Sequence, residues 1–456
     1  MKPLNIVIIG ASFAGITSAL TIKRLAPATV VTVIEREETV GFIPSSVNRL
    51  LKGQNRTLTE QTSVNLEQLV AAGIELKLGC EVVAIESAQQ YVRLVKAGQT
   101  SDLNYDKLIL AMGSHPQAER IRGANLPGVL TTKTLSASEQ SQAELTKANR
   151  ILIVGGGQVG LEAADAFIAA GKTVTILESF DSLVFKYFDS EMVMELENRM
   201  LAQGVQIYKN HQVEAIETDH SDEFEHSSKL HILTTQQIEL TADCVLLAVN
   251  FRPNSQLVSE QLACHIDSTL AVNDYLQTSQ ANIYAAGDLI RVPYLGTEND
   301  YYLPFVNNAM ITGRLAAMNA LGLSEPLQPV VRVMGSHLFG LYIASAGLTE
   351  EEAKLYHRIL TLTQVHTDES DAPITLKLII KQETGQVLGG QVYSQVNVLG
   401  LIDVLALAIK SQLTDRDLAF QDYHYYSMRS NRIPILNKVA FDLYEKRLKE
   451  VRDDAS

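Results

Sequence analysis

The sequence predicts an α/β fold with two Rossmann-like dinucleotide-binding domains followed by a separate α+β domain. Three observations predict it. Residues 5–35 read as an apolar strand, NIVII, a Gly-rich turn, an apolar-periodic helix and a second strand, VVTVIE, which is the order of a βαβ unit. The same order returns at residues 150–178 in RILIVGGGQVGLEAADAFIAAGKTVTILE. Beyond about residue 330 the pattern changes to strands LYIASAG, TLKLIIK and VLGGQVYS, then a long helical segment from Val398 to Lys410.

The elements between these landmarks follow in order. Residues 73–96 alternate as strands, and KLILAMGSHP at 107–116 reads as a buried strand ending in a turn. After the second βαβ unit come strands LHILTT and CVLLAVNFRPN, then NIYAAGD at 282–288, a buried strand with an aspartate just past its end. The stretch 305–321 has helical period, and SEPLQP at 324–329 is a Pro-rich connector. The polar, apolar-poor segment 219–228 is expected to be an exposed loop.

Composition narrows the function classes. The 456 residues are 46% hydrophobic and 20% charged, which suits a globular chain of several domains. A net charge of −14 repels phosphate backbones and anionic lipid. The expectation is therefore no nucleic acid partner and no membrane partner, and the acidity itself serves solubility. No apolar run is long enough to span a bilayer, and the apolar start is better explained by a buried first strand than by an export signal. The three cysteines, Cys80, Cys244 and Cys264, are scattered without a CxxC or metal-ligand spacing. Together these features lead us to expect a reduced, cytoplasmic setting.

The first motif is GASFAG, from Gly10 to Gly15, with Ser12 at the middle glycine position of GxGxxG. Gly10 permits the tight turn, the small Ser12 admits a pyrophosphate, and Gly15 lets helix and strand pack closely. The helix N-terminus offers amide donors and positive partial charge. Glu35 ends the second strand, where a carboxylate can accept ribose hydroxyls; the competing explanation is an ordinary tight βα turn. The second motif, GGGQVG, places Gly155, Gly157, Gln158, Val159 and Gly160 before a helix, with Glu178 at the strand tip. A carboxylate there binds a free 2′-hydroxyl and repels a 2′-phosphate. NADH is expected over NADPH, unless Glu178 is only a solvated strand-end charge.

These motifs, with LAMGS at 110–114, LLAVNFRPN at 246–254 and AAGD at 285–288, resemble flavin-dependent pyridine nucleotide-disulfide reductases. The stretch LPFVNNAMITGRLAAMNALG and the tail TDRDLAFQDYHYYS are more similar to the NADH oxidase, NADH peroxidase and coenzyme A-disulfide reductase branch. The resemblance spans essentially the whole chain. It implies FAD bound by residues 1–117 and 245–325, NADH bound by an inserted domain at 118–244, and a C-terminal dimerisation domain at 326–456, hence a homodimer. It implies that Asp288 binds the ribityl or pyrophosphate region of FAD, that Ala111, Gly113 and Ser114 line the nearby crossover, and that Glu162 lies on the nicotinamide side. Phe13, Ala14, Arg36, Pro44 and Val82 complete the expected flavin contacts. Asp288 is equally suited to capping a helix.

The departures from this pattern carry the functional expectation. The family's redox cysteine falls on Ser45 in GFIPSS, and a hydroxyl has no comparable redox couple. An expected histidine falls on Phe13, a gating aromatic on Gln158, and a glycine before FRPN on Asn250. The segment PSS also suits a helix N-cap, so a serine there is either a cap or a partner of flavin or substrate. His424, in DYHYY, is a candidate proton donor to the reduced acceptor, or an interface histidine. The expected activity is hydride transfer from NADH to FAD and then direct reduction of dioxygen, with hydrogen peroxide favoured. The alternatives are a water-forming oxidase, a reductase serving a quinone, organic acceptor or carrier protein, and a flavoprotein that senses NADH with little turnover.

Overall fold

The structure is a computed structural model that describes residues 3–218, 229–367, 372–423 and 433–454. The loop expected at 219–228 and the candidate His424 lie outside the described residues.

The first sheet is five-stranded and parallel. Its central strand Asn5–Ile9 pairs with Val30–Ile34 on one side and Lys107–Leu110 on the other, and Ile283–Ala285 joins beyond the latter. Ile6, Val7, Ile8, Leu108, Ile109 and Leu110 are wholly buried. A strand covered on both faces must be apolar throughout, which is why NIVII and KLIL show no alternation. The second sheet repeats the design. Arg150–Val154 lies between Thr173–Leu177 and Cys244–Leu247, all parallel. A domain boundary at 244/245 would cut through Cys244–Leu247, so the chain returns to the first sheet only after that strand. Small antiparallel sheets flank both large ones, Glu81–Glu86 with Tyr91–Lys96 and Gln99–Asn104 in the first case.

The C-terminal region is a five-stranded sheet in which Leu341–Gly347, Val387–Ser394 and Pro373–Lys381 lie antiparallel in the middle. Helices Leu399–Lys410 and Ile435–Asp454 cover it, burying Leu405, Val439, Ala440 and Leu443 completely. The short helix Asp415–Ala419 is tied to Ile435–Asp454 by Arg447, which donates from Nε and Nη2 to the two carboxylate oxygens of Asp415 at 2.8 and 2.9 Å. Asp415 is fully buried. Arg447→Met leaves that carboxylate without its counterion. We expect it to cost about 3–5 kcal/mol, read by denaturant unfolding of the C-terminal region, with Arg447→Lys recovering only part.

The second and third regions meet around Lys377, whose side chain is 1% exposed. Its Nζ donates to Asp189 at 2.8 Å and to Glu350 at 2.7 Å, and it also contacts Glu191. Gln391 donates to Asp189 Oδ2 at 2.6 Å, and the Asp189 and Glu350 backbone amides complete the network. Asp189 and Glu191 open the helix Ser190–Ala202 of the second region, so a single ammonium joins two domains. It stands where three converging carboxylates would otherwise attract a cation.

Candidate active site

A cavity of about 680 Å³ opens at the carboxyl end of the first sheet, where ligands of open α/β sheets bind. Its wall includes Gly10, Ser12, Phe13, Ala14, Glu35, Arg36, Pro44, Val82, Ala111, Gly113, Ser114 and Asp288. These come from five separated stretches of chain that the sheet order brings to one rim. Gly10 turns at φ +106°, and a Cβ there would lie 2.3 Å from the Ala111 carbonyl oxygen. Gly15 does not line the wall; a Cβ on it would lie 1.9 Å from the Gly10 oxygen, so its role is helix-to-strand packing. Ser12 precedes the helix Phe13–Leu25 in extended conformation and forms no side-chain cap. Glu35 accepts from the Ala11 amide at 2.8 Å and from the Glu37 amide at 3.1 Å.

At the other end of the cavity, Asp288 sits in a single helical turn, Gly287–Leu289, just past the strand Ile283–Ala285. Ser114 Oγ donates to it at 2.6 Å and Lys133 Nζ at 3.2 Å. Lys133 also lies 4.1 Å above the Phe251 ring centre. Lys133, Asn254 and Phe305 line the cavity without having been expected from the sequence. The only trace of Lys133 in the sequence is a lone cation next to Thr134, which caps the following helix. The helix Val306–Ala320 approaches Phe13–Leu25 so closely that a Cβ on Gly313 would lie 2.4 Å from the Ala14 oxygen. Its first turn thereby reaches the cavity through Phe305, Val306 and Ala309.

Ser45, expected at the flavin, does not line the cavity; it follows Pro44, which does. It stands before the helix Ser46–Leu51 at φ −72° and ψ 0°, with no side-chain cap bond. The capping expectation therefore fails: the residue is already helical, and its hydroxyl does not turn back onto the free amides. The hydroxyl of Ser46 is buried without a hydrogen-bond partner.

The second motif repeats the geometry. Gly155 turns at φ +111°, with Ala248 O 2.4 Å from a would-be Cβ, and Gly160 packs helix Gln158–Ala169 on the sheet. Glu178 accepts from the Gly156 amide at 2.7 Å and the Phe180 amide at 2.9 Å and is 6% exposed, so it is not a solvated strand-end charge. Gly157 has nothing within 4 Å of a would-be Cβ, and Val159 is exposed. Ser336, from the C-terminal sheet, donates to Glu162 Oε1 at 2.7 Å, and Gln158 donates to the same oxygen at 3.0 Å. Asn250 accepts from Lys186 at 2.8 Å.

The two halves are joined at this helix. Ser46–Leu51 packs on Gln158–Ala169, Lys52 pairs with Asp165, and the Phe339 amide donates to Asp165 at 2.8 Å. The segment of Pro44 and Ser45, of which only Pro44 lines the cavity, thus abuts the helix that carries Gln158 and Glu162.

Both sites suit a dinucleotide on structural grounds. Each has a turn that admits only glycine, an amide-bearing helix start and a carboxylate at the neighbouring strand tip. Comparison with known proteins agrees. Residues 4–313 match the family model described as pyridine nucleotide-disulphide oxidoreductase, and residues 335–433 match its dimerisation domain. The chain is similar to an NADH oxidase of Enterococcus faecalis, 27% identical over 430 residues, covering 92% of this chain and 95% of that protein. It is also similar to an NAD(P)H sulfur oxidoreductase (CoA-dependent) of Pyrococcus abyssi, 30% identical, with coverage of 92% and 94%. A solved pyridine nucleotide-disulfide family oxidoreductase from Enterococcus faecalis superimposes with a TM-score of 0.86 at 31% identity, over 98% of this chain and 100% of that one.

Proposed function

The chain belongs to the pyridine nucleotide-disulphide oxidoreductase family, whose members use FAD and NADH, and on that premise we propose that it is an NADH oxidase that reduces dioxygen directly to hydrogen peroxide. The observation that carries this reading is the hydroxyl of Ser45 where the family has a thiol. The cysteines lie elsewhere. Cys80 is buried at the Glu35 end of the cavity, where its amide donates to the Glu35 carbonyl. Cys244 is buried in the second sheet, where desolvation pushes its thiol up to about 11. Cys264 is exposed, and its thiol donates only to the Leu262 carbonyl. All three are free.

In this reading the first cavity holds FAD. Gly10 and the start of helix Phe13–Leu25 take the pyrophosphate, Glu35 takes a ribose, and Ser114, Lys133 and Asp288 fix the middle of the molecule. The second motif holds NADH, with Glu178 on the adenosine ribose and Glu162, held by Ser336 and Gln158, toward the nicotinamide. Bound FAD supplies a two-electron acceptor for hydride and a donor to oxygen. The chain's part is to stack the two nucleotides across the contact of Ser46–Leu51 with Gln158–Ala169 and to exclude water from it. The start of Val306–Ala320 adds positive partial charge to the cavity. The balance is NADH plus a proton plus dioxygen, giving NAD⁺ and hydrogen peroxide.

We also place the C-terminal region at a homodimer interface. The region matches the family's dimerisation domain, and Leu407 on Leu399–Lys410 and Phe420 leave apolar side chains 66% and 60% exposed there. Among the described residues no helix is long and apolar enough to cross a membrane, and we assign the enzyme to the cytoplasm.

The test is product stoichiometry. One hydrogen peroxide per NADH is expected, with little anaerobic turnover. Half a dioxygen per NADH without peroxide, or turnover with quinone or disulfide acceptors in the absence of oxygen, contradicts it. In Ser45→Cys, peroxide yield per NADH should fall as the new thiol takes electrons.

A further inference from the structure

Beside the second motif stands a cation, Lys186, that pairs with no carboxylate among the described residues. Its segment is fastened to the glycine turn: the Val184 amide donates to the Gly156 carbonyl at 2.9 Å, and Leu183 packs where a Gly156 side chain would be. Val184 holds this course at φ +45°, a conformation that β-branched residues avoid. The bend sends Lys186 across the end of Arg150–Val154 to Asn250, which follows the strand Cys244–Leu247 on the far side. There Nζ donates to Asn250 Oδ1 at 2.8 Å. Among the described residues no carboxylate pairs with this ammonium. Crowding by protein and the nearby Arg332 guanidinium push its pKa down, and only Glu178 acts against them.

We propose that Lys186, held by Asn250, is the positioning cation that receives the pyrophosphate of NADH across the second glycine motif. This rests on NADH occupying that motif. A dinucleotide extended from Glu178 toward Glu162 must pass the start of helix Gln158–Ala169, and its bridging phosphates then lie beneath the lysine. An amide partner suits this task. Asn250 orients the ammonium without neutralising it, so the positive charge is kept for the phosphates. It also gives a use to Asn250, which stands where the family has glycine.

Calorimetric titration of the FAD-loaded protein with ADP-ribose, a redox-inert probe, tests it. Lys186→Met should weaken ADP-ribose at least about tenfold and raise KM for NADH with kcat nearly unchanged. Adenosine binding should not change, and Lys186→Arg should restore most of the affinity. Asn250→Gly should produce a smaller loss of the same kind. Equal ADP-ribose affinity in wild type and Lys186→Met would overturn the assignment. So would a loss confined to 2′-phospho-ADP-ribose, which would place the lysine at the ribose instead. Failure of the wild type to bind ADP-ribose at all would instead overturn the NADH reading of the motif.

Discussion

Gly10→Ala protein is expected to purify without flavin. At φ +106° an alanine is strained, which costs roughly 1–3 kcal/mol. The added Cβ would also lie 2.3 Å from the Ala111 carbonyl oxygen, a backbone atom. Neither side can give way, because Ile9 and Leu110 are hydrogen-bonded neighbours in the middle of the first sheet. The turn must open, and opening it moves the amides and the Glu35 contact that shape the proposed pyrophosphate site. The ratio of flavin to protein absorbance after desalting reads the result, and titration with added FAD measures the lost affinity. Gly157→Ala is the contrasting substitution, since that residue lies at φ −77° with nothing within 4 Å of the new methyl. It should fold and keep its flavin. A fully flavinated Gly10→Ala protein would contradict the role given to the first turn.

Lys377→Met should destabilise the junction of the second and third regions by about 3–5 kcal/mol, since removing one member of a buried ionic cluster leaves charges uncompensated. Asp189 loses its main counterion and retains Gln391 and a backbone amide. Burial already raises the pKa of the Asp189 carboxyl, and Lys377 opposes that rise. Without the lysine it goes higher. A carboxyl whose folded pKa is raised binds its proton preferentially in the folded state, so its contribution is lost as pH rises through that pKa and regained on acidification. The variant should therefore recover stability as pH falls from neutrality toward the ordinary carboxylate range. In the wild type the pKa of Lys377 is raised, so its contribution is complete below the usual lysine pKa and is lost only in strong alkali. That of Glu350 is lowered, so its share is lost as pH falls through its folded value. Urea unfolding at several pH values checks that acidification from neutrality stabilises the variant more than the wild type. Similar pH profiles for the two proteins would exclude this account.

The parts of the site that the sequence reveals are those where backbone geometry leaves one choice of residue. Gly10 and Gly155 are legible because only glycine tolerates the turn and the carbonyl behind it. Glu35 and Glu178 are legible because an acid ends an apolar strand at a fixed distance from each turn. Lys133, Asn254 and Phe305 are not, because each arrives from a distant stretch of chain and only sheet order brings them to one rim. The misplaced boundary at 244/245 has a similar cause. CVLL is apolar throughout and would suit either parallel sheet, and only its pairing with Arg150–Val154 decides. The Ser45 cap failed for a local reason: the hydroxyl could cap only from an extended backbone, and Ser45 has already entered the helix.

Helix Gln158–Ala169 is gripped on both flanks, by Lys52 from the flavin side and by Ser336 and the Phe339 amide from the C-terminal sheet. It behaves as a keystone and not as a door. The nucleotides then meet at a separation set when the chain folds, and turnover should depend little on solvent viscosity, because no domain has to swing through the solvent between one hydride and the next.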